Sequence, residues 1–188
     1  MYSKVFKRVI DISGSLFTLL VLSPLLLITA LLIKLFDRGP LIFVQQRVGK
    51  HGQLFSFYKF RSMPVNTGDI PSDKIGQVKL TWIGRVIRRT SIDELPQLIN
   101  ILKGDMSLVG PRPAINSQQK LIAERKNNGA IEMRPGLTGL AQVNSFDGMT
   151  VEEKAHFDGV YYKQVSFLTD VKIVLKTVTY LFKAPPVY

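Results

Sequence analysis

From Ile12 to Ile33 the chain carries no charged residue, and leucine, isoleucine and valine dominate the run. At ~1.5 Å per residue, about twenty such residues in a helix could just cross a hydrocarbon core of ~30 Å. The run is too long for the apolar part of a cleaved signal peptide, and no small-x-small site follows it. The rest of the chain must therefore be built around a membrane-seeking helix.

Two features of that run bear on how it meets a membrane. Ser23-Pro24 falls near its middle. A helical proline removes one intrahelical bond and its ring crowds the carbonyl one turn earlier, here that of Leu20, so a kink is expected. The Ser23 hydroxyl can bond back to that turn and relieve part of the cost. Both flanks are also basic: Lys4, Lys7 and Arg8 before the run, Lys34, Arg38, Arg47 and Lys50 after it. The positive-inside rule then wants both ends on one side. A helix that enters, breaks at Ser23-Pro24 and returns satisfies both features. An ordinary kinked transmembrane helix fits the same residues equally well. Gly39-Pro40 ends the second half.

Net charge is +11 with 46% hydrophobic residues. That balance suits either nucleic acid or an anionic membrane surface with phosphorylated ligands. There is no cysteine, and the only histidines, His51 and His156, are far apart. A thiolate or histidine-rich metal site is excluded on that basis, and a metal would be a hard, oxygen-bound cation such as magnesium.

Downstream, 41–46 and 54–60 are short β-rich runs around Gly49-Lys50-His51-Gly52, the pattern of a β-hairpin. Alternation in Tyr58-Lys59-Phe60-Arg61 sends Lys59 and Arg61 to one face, as a phosphate clamp or as two solvated charges. A polar loop covers 65–75, and a short helix is expected over 82–89, carrying Arg85, Arg88 and Arg89. Residues 115–127 read as a polar helix and 151–163 as another. In the last segment Phe167, Leu168, Val171, Leu175, Val178 and Phe182 recur at helical spacing, with Lys172, Lys176 and Lys183 elsewhere. That face suits a membrane surface or the protein core.

The most chemical stretch is Thr90-Ser91-Ile92-Asp93-Glu94-Leu95-Pro96. Pro96 is tolerated only in a first helical turn, so a helix is expected from an N-cap near Ile92 or Asp93 to Gly104. The acidic pair would then cap that helix, as ordinary helix-start chemistry, or its ionised carboxylates would bind a divalent cation or attack phosphorus. Further on, Pro111 and Pro113 preset the backbone around Arg112, which lowers the entropy lost when that arginine binds a phosphate. Arg134-Pro135-Gly136-Leu137-Thr138-Gly139 is a loop that lets a backbone come close to a ligand.

In combination and order, these motifs resemble the bacterial sugar transferase family, the small monotopic phosphoglycosyl transferases. They are Ser23-Pro24, Gln46-Arg47-Val48-Gly49, Tyr58-Lys59-Phe60-Arg61-Ser62-Met63, Asp93-Glu94-Leu95-Pro96-Gln97, Gly104-Asp105-Met106-Ser107, Gly110-Pro111-Arg112-Pro113 and Arg134-Pro135-Gly136-Leu137-Thr138-Gly139. The likeness runs from Lys7 to Ile173, and the length is that of the minimal form. Two positions depart from the pattern: Leu140, where an aromatic is common, and Ser145-Phe146 after Val143-Asn144, where some members have Gly-Arg.

The resemblance implies an α+β, mostly helical fold with a re-entrant membrane hairpin over 1–38. Residues 39–188 form a cytoplasmic catalytic domain continuous with it, with a small β-hairpin and amphipathic interfacial helices. It implies a monotopic enzyme on the cytoplasmic face of the bacterial inner membrane. The implied reaction moves a phosphosugar from a UDP-sugar to polyprenol phosphate and releases UMP. Asp93 and Glu94 are then the catalytic and magnesium-binding pair, and Lys59, Arg61, Arg88, Pro111, Arg112, Pro113 and Arg134 bind substrate. The lipid bilayer is a partner, nucleic acid is not, and a homo-oligomer is left open. The competing class is a membrane-anchored basic protein that binds nucleic acid. It accounts for charge and anchor but not for two carboxylates set among arginines, which would repel phosphate unless a metal bridged them.

Overall fold

The computed structural model describes residues 2–37, 39–64, 80–144 and 148–181. The 65–75 loop, Arg38, Ser145-Phe146, Phe182, Lys183 and the side chain of Lys4 lie outside the described residues.

The apolar run forms one helix, α1 (Lys7–Phe36), which continues through Pro24. The lost bond is partly compensated as the sequence suggests, because Ser23 Oγ donates to Leu20 O at 2.8 Å. Among the described residues α1 is the one helix long and apolar enough to cross a membrane. Most of its surface faces outward, including Phe17, Leu20, Leu27 and Leu35. Asp11, Ser15 and Thr29 on its other face are buried against the protein. Asp11 accepts from Ser107 Oγ and from the Leu108 amide, at 3.0 and 2.9 Å. Leu19 packs on a cluster of Phe57, Leu98, Ile101 and Met106, and Leu26 and Ala30 pack on one of Ile33, Phe60, Ile83 and Ile87. Both halves of α1 therefore rest on the same body.

The expected hairpin is present as β1 (Ile42–Val48) and β2 (Leu54–Phe60), antiparallel with Ile42 opposite Phe60 and Val48 opposite Leu54. Three strands that the local pattern does not announce complete the β structure. β3 (Ser107–Val109) pairs in parallel with β5 (Gly136–Thr138), while β4 (Ala114–Ile115) adds to the free edge of β1. The glycines of the 134–139 loop serve this pairing: a Cβ on Gly136 or Gly139 would collide with the Gly110 backbone. The close approach expected there is backbone to backbone.

Between the strands lie α2 (Trp82–Arg89), α3 (Gln97–Lys103), α4 (Gln119–Asn127), α5 (Leu140–Asn144), α6 (Val151–Lys163) and α7 (Phe167–Leu181). Helix α4 begins later than expected because Ala114 and Ile115 are taken by the sheet. Helix α6 starts at a full capping box, with Thr150 Oγ1 accepting from the Glu153 amide and Glu153 from that of Thr150. In α7, Ile173 and Asp170 are buried, whereas Phe167, Leu168, Val171, Leu175 and Val178 are uncovered by the described residues. The fold is mostly helical with small sheets, as the sequence implies.

Candidate active site

The acidic pair does not cap α3. Ser91 adopts a left-handed conformation, φ 55°, and makes no capping hydrogen bond. Residues Ile92–Glu94 then form a separate 3-10 turn, closed by Glu94 N–H to Ser91 O and Leu95 N–H to Ile92 O at 3.1 and 3.2 Å. The α-helix starts only at Gln97, with Pro96 as a cap that offers no side-chain acceptor. The expected helix start is thus corrected by about one turn. The reason is local: Pro96 has no N–H to continue the turn, and the left-handed Ser91 has already redirected the chain. Freed from capping, both carboxylates are available to face other groups. The far end of α3 ends at Gly104 with φ 98°, as the sequence indicates.

Three elements converge on the pair. From β2, Lys59 Nζ lies 2.6 Å from Glu94 Oε1 and 3.9 Å from Asp93 Oδ2. From the Pro111-Arg112-Pro113 loop, Arg112 Nη2 donates to the same Glu94 oxygen at 2.8 Å. The charge of Arg88, in the last turn of α2, also acts on Asp93. Asp93 is buried and Glu94 nearly so, with side chains 6% and 19% exposed.

The environments split the two acids. Burial pushes the Asp93 carboxyl up from 3.8 to about 6; Lys59, Arg88 and Arg112 oppose this, and Glu94 adds to it. Burial also acts upward on Glu94, but the charges of Arg112 and Lys59 and their hydrogen bonds outweigh it and hold that carboxyl well below its ordinary range. The pair therefore sheds its first proton from Glu94 and holds the second at Asp93. Between about pH 4 and 6 native Asp93 binds a proton that the unfolded chain releases, so its contribution to stability falls as pH rises through that window.

Other candidates lie elsewhere. Arg61 is buried against Asp37, donating to its main-chain carbonyl with its carboxylate 3.5 Å away, and so ties the end of α1 to the end of β2. Alternation expected it beside Lys59, but the two reach different partners. Arg134 Nε donates to Gly104 O at 2.7 Å, and Arg8 donates to the carbonyls of Ile101 and Leu102. Both satisfy the C-terminal end of α3. The sequence reading missed Arg125 and Asp158, a buried pair behind the Arg112 loop joined at 2.7 Å. No local signal marks such a pair, because its members are far apart in the chain and meet only when α4 packs on α6.

The bacterial sugar transferase family model matches residues 2–184. The chain belongs to that family. This makes it a sugar-phosphate transferase, and the nucleic-acid alternative has no support. Among its relatives it is similar to the uncharacterized sugar transferase EpsL of Bacillus subtilis, 40% identical, with 93% of this chain and 86% of that protein covered. The UDP-glucose:undecaprenyl-phosphate glucose-1-phosphate transferase of Caulobacter vibrioides is 40% identical over 97% of this chain and 72% of its own length. The undecaprenyl-phosphate galactose phosphotransferase of Salmonella typhimurium is 36% identical over 99% of this chain, which spans 42% of that longer protein. The acidic pair, its clamp and the long apolar helix are thus features of a sugar transferase.

Proposed function

We propose that the chain transfers a phosphosugar from a UDP-sugar to polyprenol phosphate, undecaprenyl phosphate in bacteria, by way of a covalent intermediate on Asp93. One observation carries this: a buried carboxylate with a raised pKa beside a second carboxylate, faced by Lys59, Arg88 and Arg112. The names of the relatives from Caulobacter and Salmonella agree with the acceptor.

An Asp93 oxygen attacks the phosphorus that bears the sugar. The bond from that phosphorus to the bridging oxygen breaks, and UMP leaves with the oxygen. A polyprenol phosphate oxygen next attacks the same phosphorus, the aspartyl–phosphorus bond breaks, and the carboxylate is restored with release of polyprenyl-diphosphate-sugar. Two displacements let a water-soluble donor and a lipid acceptor use one site in turn. Lys59 and Arg112 orient donor phosphate oxygens and keep Glu94 ionised, while Arg88 faces the charge at Asp93.

Among the described residues no three metal-ligating side chains cluster. Two hard carboxylate oxygens nevertheless suit magnesium, which commonly takes one or two carboxylates and completes its shell with substrate phosphates and water. Asp93 and Glu94 would hold Mg2+, which would supply charge neutralisation between carboxylate and diphosphate. Glu94 is then a metal ligand or a proton acceptor. In metal-free protein the Asp93 carboxyl, followed by carbon-13 NMR and identified by its loss in Asp93→Asn, should titrate near 6. Millimolar Mg2+ should move that midpoint down, and a midpoint indifferent to Mg2+ would remove the pair as its site.

The membrane reading is a monotopic, re-entrant α1 on the cytoplasmic face, with the uncovered face of α7 against the bilayer. Its support is that Lys7, Arg8 and Asp11 at one end of α1, and Ile33 and Asp37 near the other, all engage the same body. A helix that crossed would separate those ends by a bilayer. A cysteine introduced at position 3 should resist labelling from outside intact cells, and replacing Ser23 and Pro24 together by leucine should expose it. Labelling of the unaltered helix would sink the re-entrant reading. The reaction itself is tested with a panel of UDP-sugars scored for UMP release in the presence of polyprenol phosphate; release from none of them would overturn it.

A further inference from the structure

The Pro111-Arg112-Pro113 loop has few donors of its own, because two of its three residues lack an N–H. It is held instead through its carbonyls, and each has a partner. The Gly136 amide donates to Pro111 O at 2.8 Å, Arg125 Nη1 to Arg112 O at 2.9 Å, and Arg47 Nη1 to Pro113 O at 3.2 Å. Arg125 is itself fixed. Its Nε and Nη2 grip Asp158 Oδ2 at 2.8 and 2.7 Å, with side chains 7% and 2% exposed. The pair bridges α4 and α6, which share a core of Val48, Ala114, Leu121, Ile122 and Ala155. From Asp158 an unbroken line of polar contacts runs through Arg125 to the Arg112 carbonyl, and from the Arg112 guanidinium to Glu94.

We infer that Arg125 and Asp158 are positioning residues that set the placement of the Arg112 guanidinium over the acidic pair, and hence the grip on the donor diphosphate. The inference deepens the transferase reading and rests on it. A planar fork is needed at position 125, since one guanidinium serves the Asp158 carboxylate and the Arg112 carbonyl together. A lysine would keep the charge but would bring a single nitrogen to both.

Arg125→Lys is therefore the decisive variant. We expect KM for the UDP-sugar to rise roughly ten- to a hundredfold, with a smaller change in kcat and a melting midpoint that is lowered but stays above the assay temperature. In an Arg112→Ala background the same substitution should change KM by about twofold or less, because the residue through which it acts is gone. Asp158→Asn, which leaves an oxygen for Arg125, should give a milder version of the same cycle. Lys120→Ala is the control: it breaks an exposed ion pair with Glu152 across the same two helices and should leave KM unaltered. Amide hydrogen exchange over residues 110–115 reads the clamp without substrate. It should quicken in Arg125→Lys and not in Lys120→Ala. Equal losses in both backgrounds, or unaltered exchange, would overturn the inference. Quickened exchange in a protein that releases no UMP from any donor would leave the clamp standing and remove the transferase reading instead.

Discussion

Asp93→Asn should abolish UMP release and covalent labelling together, in a protein at least as stable as the wild type. The wild type, given a donor radiolabelled in its sugar and no lipid acceptor, should form UMP in a single turnover and keep the label. Steady-state kinetics should then be ping-pong. Asparagine fills the same space but is no nucleophile toward phosphorus, so neither half-reaction can begin. Stability moves the other way. Because burial holds native Asp93 near 6, its ionised form is disfavoured at neutral pH, and the neutral amide removes that cost. We expect a gain on the order of 1–3 kcal/mol at pH 7, fading as pH falls from about 6 through 4 and lost below the unfolded value of 3.8, where the native acid and the unfolded acid are both protonated. A melting midpoint that stays or rises while activity vanishes separates lost chemistry from lost folding. If Asp93→Asn still acquires label, or the wild type never does, the covalent step at this residue is wrong.

Much of this site could be read from the chain because its signals are local. The hairpin follows from alternation around Gly49-Lys50-His51-Gly52, and α6 follows from Thr150 and Glu153 at capping-box spacing. Lys59 and Arg112 converge on the acidic pair, and Arg88 acts on it through its charge. What the chain conceals is decided at long range or by one unusual torsion. Ser91 is left-handed without being glycine, and that single residue detaches the acidic turn from α3. Strands β3, β4 and β5 are only two or three residues long, so no period can announce them; they exist because Gly110 and Gly136 let two backbones meet and because β1 has a free edge. Arg61 and Arg134 are basic residues in the right motifs whose charges go to Asp37 and to the end of α3, destinations that need the tertiary fold.

The second large effect lies away from the chemistry, at Asp170. This buried carboxylate of α7 accepts from Tyr2 at 2.7 Å, Lys7 at 2.6 Å and Tyr161 at 2.5 Å. Burial and the Asp170 charge push both tyrosine hydroxyls up, so they remain donors at any working pH. One side chain thus gathers the start of α1, the last turn of α6 and α7 itself. Asp170→Ala would leave a largely buried ammonium and two hydroxyls without their acceptor, and we expect a loss of about 3–5 kcal/mol. Tyr161→Phe removes one donor and leaves the ion pair, and should cost about 1–2 kcal/mol, since Tyr161 also lies 3.3 Å from Val109 O. The consequence reaches the site, because Asp11, one turn beyond Lys7, holds Ser107 and Leu108 of β3, and β3 leads directly into Gly110 and the Arg112 loop. Thermal unfolding in detergent should rank the variants as wild type, Tyr161→Phe, Asp170→Ala. Proteolysis should find the first residues of α1 released in Asp170→Ala before the remainder unfolds. Equal stability of Asp170→Ala and the wild type would mean that the apolar packing of α1 alone seats it, and that the three donors are satisfied as well by water.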